Sequence, residues 1–144
     1  MNEEDKFEII DHTADLGIKA YGKTLEETFS TAARVMFNLI AKDDNIEEKE
    51  TREIEIEEED ETFLFKKWLE ELLFVFDTEK LVFSRFDIKI EKKNNLYSLK
   101  AKLYGEKFNP SKHGSGVEIK AVTYHMLEVG KIGDKYFAQV IFDV

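Results

Sequence analysis

Asp11-His12-Thr13-Ala14-Asp15 lies between two short apolar runs, and Asp143 stands one residue before the end of the chain. Two carboxylates four apart in a strand-to-strand loop, joined by a third from a final strand, could gather hard oxygen ligands at one point. Ca²⁺ and Mg²⁺ take such donors. Asp15 and Asp143, with backbone oxygens or the terminal carboxylate of Val144, therefore form a candidate divalent-cation site. Zinc fits less well, because the three His include no His-x₃-His pair. Asp15 alone also reads as an Asx-turn residue bonded to its own loop, and Asp11 as an ordinary turn acid. His12 reads either as a half-buried loop histidine or as a proton-transfer group near neutral pH.

These residues meet only if the chain brings its two ends together. Residues 7–10 read as a short strand, and 16–21 alternate with period two as its neighbour. Thr24-Leu25-Glu26-Glu27 is a capping box. It opens a helix to about Ala41, with Leu25, Phe29, Ala32, Ala33, Met36, Phe37 and Ile40 on one face. Ile54 and Ile56 alternate as a strand. Asp60 starts a second, heavily apolar helix (Phe63, Leu64, Trp68, Leu69, Leu72, Leu73, Phe76) that lies between layers or covers a sheet.

Beyond it, strand 81–91 turns at Asn94-Asn95 into strand 96–105. A polar loop at 106–116 leads to strand 117–129, a turn at 130–134 and strand 136–142. The order β-β-α-β-α-β-β-β-β predicts a single α+β domain over 1–144, with antiparallel-rich sheets and two main amphipathic helices. Residues 136–142 show no alternation, which predicts a strand covered on both faces and docked centrally. Asp143 would then end a buried strand. A buried carboxylate cluster is costly unless a cation or a lysine neutralises it.

At 144 residues the chain can bury about 68% of its unfolded surface. No apolar run approaches the ~18 residues of a membrane span, and Met1-Asn2-Glu3-Glu4-Asp5 does not resemble a signal or transit peptide. The absence of Cys excludes disulfides, thiolate metal sites and cysteine nucleophiles, and suggests a cytoplasmic protein. High Glu and Lys content with few Met also suits a thermophile.

The net charge of −10 is carried by residues 43–61, where twelve acids meet two bases, Lys49 and Arg52. Elsewhere acids and bases cancel. Direct nucleic-acid binding is therefore not expected, since that affinity comes from Lys and Arg displacing counterions. The acidic band reads as a solvated edge or as a docking face for a basic partner.

A second polar cluster, Lys112-His113-Gly114-Ser115-Gly116, reads as a mobile loop able to meet a phosphate or a partner, or as an ordinary loop. Lys120, among apolar residues, reads as a lysine snorkelling to a sheet edge or as the partner of the carboxylates. No P-loop, Gly-x-Gly-x-x-Gly fingerprint or serine nucleophile elbow is present. No nucleophile is identifiable, which weakens an enzyme reading.

Four blocks resemble the archease family. They are the segment from Asp11 to Ile18 followed by Ala20-Tyr21-Gly22; Trp68-Leu69-Glu70-Glu71-Leu72-Leu73; Glu118-Ile119-Lys120-Ala121-Val122-Thr123-Tyr124-His125; and Phe142-Asp143-Val144. They stand in the family's order and span essentially the whole chain. The resemblance implies an accessory protein, not an enzyme. Its partner would be the tRNA-splicing RNA ligase that joins 3′-phosphate or 2′,3′-cyclic-phosphate ends to 5′-hydroxyl ends. It would promote guanylylation of the ligase histidine and multiple turnover, and alter nucleotide specificity. The resemblance also implies a divalent cation, calcium first and Mg²⁺ or Mn²⁺ next, at Asp15, Asp143 and Val144. The family often ends in Asp-Ile, so Val144 is a mild departure. Asp11, His12, His113 and Lys120 are candidates to support that site or face the partner. Two other classes stand beside this reading: a stand-alone divalent-metal-dependent phosphoesterase, and a chaperone-like module.

Overall fold

The computed structural model describes residues 7–12, 15–42 and 45–144, with residues 10–12 placed by backbone alone. Among the described residues eight strands form two antiparallel sheets, with two long helices between them. The five-stranded sheet contains β1 (Phe7–His12), β2 (Asp15–Gly22), β6 (Ala121–Val122), β7 (Glu128–Ile132) and β8 (Lys135–Asp143). Its order is β1-β2-β8, and β6 and β7 pair with successive parts of the remaining edge of β8. The three-stranded sheet has the order β3-β5-β4, built from Glu50–Glu58, Leu96–Lys107 and Leu81–Lys93.

Helix α1 (Leu25–Ile40) begins where the Oγ1 of Thr24 accepts the N–H of Glu27 at 3.1 Å. Helix α2 (Glu61–Glu79) begins where Asp60 accepts the N–H of Phe63 at 2.8 Å. Both caps satisfy donors that a first turn leaves unpaired. Helix α1 rests on β2 and β8 of one sheet and β4 of the other. That double contact explains why Thr28, Thr31 and Val35 are buried beside the expected apolar face. Helix α2 lies between β3, β4 and β5 on one side and β6, β7 and β8 on the other. The buried indole of Trp68 donates to the carbonyl of Phe29 at 3.1 Å, tying the helices together. Among the described residues no helix is long and apolar enough to cross a membrane.

The expected α+β class and antiparallel sheets are observed, but the segment after β5 differs from its sequence reading. Glu106 and Lys107 continue β5, and Pro110–His113 forms a short helix, α3, where a continuous loop was expected. Residues 117–129 are not one strand. The chain pairs briefly at β6, turns through Thr123 to Leu127 and re-pairs as β7. Met126 occupies the left-handed region at φ 53°, which a continuing strand would not permit.

Strand β8 is central and is buried on both faces from Phe137 to Phe142, except at the half-buried Gln139. This matches its lack of alternation. In the other sheet the register shifts between Phe83 and Arg85, and β4 presses on Gly105. A Cβ at Gly105 would stand 1.9 Å from the carbonyl oxygen of Val82. Gly105→Ala is therefore expected to destabilise the fold by about 2–3 kcal/mol, as overpacking against backbone does. A chemical-denaturation midpoint unchanged by the substitution would contradict this close approach.

Candidate functional site

Antiparallel pairing places Asp15 directly opposite Asp143 on β2 and β8. Directly opposed residues share one face of the sheet, with Cβ atoms about 4.5–5.5 Å apart. The row extends on both sides, since His12 is opposite Asp15 and Ala121 is opposite Asp143. One end of the sheet thus collects the last residue of β1, the first of β2, the first of β6 and the last of β8. The next row, Leu16 with Phe142 and Val122, points the other way, and Phe142 and Val122 join the core. Period-two alternation then sends the Asp pair to the outer face.

Asp143 is exposed and Asp15 half-buried, which corrects the expectation of a buried carboxylate cluster. Burial of β8 stops at Phe142, because the Asp pair sits at the open end of the sheet. Val144 is half-buried with its side chain against the core, so its backbone oxygen is what it can offer a ligand. Like charges directly opposed in a sheet repel. The pair supplies oxygen donors and negative charge with access to solvent, a donor set that fits a hard divalent cation retaining some water. Among the described residues no three His, Cys, Asp or Glu side chains converge into a fuller cage.

Thr13 and Ala14 lie outside the described residues, as do the side chains of Asp11 and His12. The backbone shows that Asp11 and His12 belong to β1 and Asp15 to β2, so the connection between the strands is shorter than the expected loop. Lys120 immediately precedes β6, and its N–H donates to the carbonyl of Asp143 at 2.7 Å. Its side chain is exposed and, among the described residues, makes no ion pair with Asp143. It lines an open groove of about 490 Å³ together with Asp77, Lys80, Ser115 and Glu118.

His113 is not on a mobile loop. It is fully buried beside Glu106, an ion-pairing residue that sequence reasoning assigned to a polar loop. The backbone N–H of Asn109 donates to His113 Nδ1 at 3.0 Å, so Nε2 carries the proton it shares with Glu106 at 3.1 Å. Glu106 also accepts from the N–H of Glu47 at 2.7 Å and from Lys112 at 2.9 Å. Phe108 stacks on the imidazole. This clasp joins β5, α3 and the segment before β3, and it accounts for His113 structurally. The alternation of β5 gave no sign of it, because donors from separate segments meet at Glu106.

The acidic band is compensated only in part, toward its start. Glu53 and Glu55 on β3 face Lys102 and Lys100 on β5, and Arg52 binds Glu79 through two nitrogens at 2.9 and 2.8 Å. Arg85 pairs with Glu48, and Lys49 and Lys112 pair with Glu47. Charged side chains also protect the free edge of β3. Asp43 and Asp44 lie outside the described residues.

An exposed aromatic pair beside the start of α2 has no counterpart in the sequence reading. Tyr124, two residues past β6, is 69% exposed and meets Phe63, 46% exposed, edge to face. The ammonium of Lys66 sits 4.0 Å from the Tyr124 ring centroid. The helical pattern put Phe63 on an apolar face, while Tyr124 was read within a continuous strand. The broken strand exposes both.

The sequence profile of the archease protein family matches residues 7–144. The archease of Pyrococcus abyssi is 46% identical over 140 residues, covering 96% of this chain and 99% of its own. That of Sulfurisphaera tokodaii is 40% identical over 139 residues, with coverage of 96% and 99%. Among solved structures, protein 1598 of Methanobacterium thermoautotrophicum superposes with a TM-score of 0.86 at 41% identity, covering 96% of this chain and 98% of that one. A Thermotoga maritima archease described as a possible chaperone shares the fold, with a TM-score of 0.61 at 24% identity over 94% of each chain.

Proposed function

The chain belongs to the archease family, and from that premise we propose that it activates a tRNA-splicing RNA ligase and has no turnover of its own. The ligase joins 3′-phosphate or 2′,3′-cyclic-phosphate ends to 5′-hydroxyl ends. Its activator would promote guanylylation of the ligase histidine, permit multiple turnover and alter nucleotide specificity, in the cytoplasm. The observation that carries this reading is the register placing Asp15 opposite Asp143. It sets the two acids, far apart in sequence, opposite one another.

Asp15, Asp143 and the backbone oxygen of Val144 would hold a divalent cation, calcium first and Mg²⁺ or Mn²⁺ next. A bound cation supplies concentrated positive charge able to order phosphate oxygens. The protein's own part is positional. The central strand β8 fixes Asp143, the hydrogen bond from Lys120 fixes its carbonyl, and β2 holds Asp15 opposite. Asp11, His12 and Lys120 stand around this row as candidates for partner contact. The exposed Tyr124–Phe63 pair suits a protein partner, since aromatic side chains supply much interface energy.

GTP-dependent RNA ligation under multiple-turnover conditions, with and without this protein, tests the proposal. The chain alone should leave RNA ends and nucleotide unchanged, and with the ligase it should raise both guanylylated ligase and turnover. Hydrolysis of a cyclic phosphate by the chain alone would instead favour the phosphoesterase reading. The exposed aromatic pair gives a chaperone-like role its own support. In that role, Tyr124→Ser would abolish client protection from aggregation and Asp15→Ala would not.

A further inference from the structure

The net charge of −10 does not prevent lysines from gathering locally. Opposite the Asp pair, at the far end of β2 and ~24 Å away by strand rise, three turns converge. One joins β2 to α1 through Lys23, one is the β4–β5 hairpin at Asn94-Asn95, and one is the β7–β8 hairpin at Gly133-Asp134. Gly22, Tyr136 and Lys131 share a single row of the register.

Lys23, Lys92 and Lys131, one from each region, line a single concavity of about 430 Å³ with Tyr97 and Tyr136. Among the described residues none of the three lysines has a carboxylate within ion-pair distance, although the chain carries 31 acids. The ammonium of Lys92 lies 5.3 Å from the Tyr97 ring centroid, and that of Lys131 lies 5.1 Å from the Tyr136 centroid. The acid in the lining, Glu26, accepts the N–H of Ile90 at 3.4 Å. Three ammonium groups thus face one carboxylate in the lining, while Glu61, just outside it, accepts the Tyr97 hydroxyl at 2.9 Å.

We propose that this pocket binds the phosphates of a nucleotide, either free or within a single RNA strand. Three ammonium groups from separate elements can bracket an anion with several oxygens, and lysine serves as a point-charge phosphate binder. A lone carboxylate would leave part of that charge unused. Two tyrosines in the lining offer π-surface for a base next to the phosphates. The volume falls in the range of small-ligand sites. Whole-chain charge argued against nucleic acid because a net total does not show where lysines gather. The proposal is independent of the Asp15/Asp143 reading.

The test uses the full chain, uniformly ¹⁵N-labelled and titrated at low salt with UTP and separately with tripolyphosphate. A short fluorescein-labelled oligouridylate is followed by anisotropy. UTP is expected to shift the amides of Lys23, Leu25, Lys92 and Lys131 saturably. Lys23→Glu combined with Lys131→Glu is expected to weaken binding by about tenfold or more, the equivalent of ~1.4 kcal/mol, with an unchanged thermal midpoint. If that pair unfolds, Lys23→Gln with Lys131→Gln carries the same expectation at smaller size. Tighter, strongly salt-dependent binding of the oligouridylate assigns the site to a strand, and tighter binding of UTP assigns it to free nucleotide. Absence of saturable shifts at these amides overturns the proposal, as does binding unchanged in the charge variants. Neither result bears on ligase activation, which the Asp variants test separately.

Discussion

Asp15→Ala and Asp143→Ala should each lower stimulation of ligase guanylylation by about 10- to 100-fold, the range seen when support for a metal is removed, while the fold stays intact. The stability part follows from the register. Like charges opposed across two strands repel, so deleting one relieves repulsion and removes no buried contact, Asp143 being exposed. The thermal midpoint should therefore hold or rise slightly, within about 0.5 kcal/mol. Calcium gives a readout independent of the ligase. A ligand that binds only the folded state raises the midpoint, so Ca²⁺ should stabilise the wild-type chain and fail to stabilise either variant. Wild-type stimulation by both variants would remove the pair from the mechanism. Loss of stimulation together with loss of fold would make the acids structural.

The second large effect belongs to the Glu106 clasp. Burial, at 5% exposure, pushes the Glu106 carboxyl up, but hydrogen bonds from the Glu47 N–H, Lys112 and His113 outweigh it and hold the group down to about 2. A carboxylate whose folded value lies below its unfolded one contributes stability above the unfolded value and loses it as pH falls through the folded one. The contribution should therefore be complete above about pH 4.5 and disappear toward pH 2. Glu106→Ala leaves His113 and Lys112 without their acceptor and should cost about 3 kcal/mol at neutral pH, as breaking a buried pair does. Glu106→Gln keeps the shape and should flatten the acid limb. Urea unfolding at neutral and acid pH measures both. A Gln variant losing as much stability on acidification as the wild type would show that Glu106 does not carry this pH dependence.

Local chemistry was legible wherever it is short-range. Thr24 and Asp60 cap the helices they were expected to cap, because an N-cap bond spans three residues. Asn94 and Asn95 both take positive φ, at 50° and 64°, as a tight hairpin requires. The unalternating run before Asp143 marked a strand covered on both faces, and β8 is central. The segment 117–129 was misread because its apolar content suits a strand, whereas its pairing depends on β8, and Met126 breaks it with a left-handed turn.

The candidate site divides in the same way. Residue types and the family blocks already named Asp15, Asp143 and Val144, since oxygen chemistry and motif spacing are written along the chain. Their pairing, their exposure and the separation of His113 from them were not written there. Register is a relation between strands more than a hundred residues apart, and exposure depends on where a sheet ends. Alternation shows which face a residue takes once its neighbours are known, and those neighbours come from folding. The same physics hid the lysine pocket: Lys23, Lys92 and Lys131 lie in or beside three turns that only the folded sheets bring to one place.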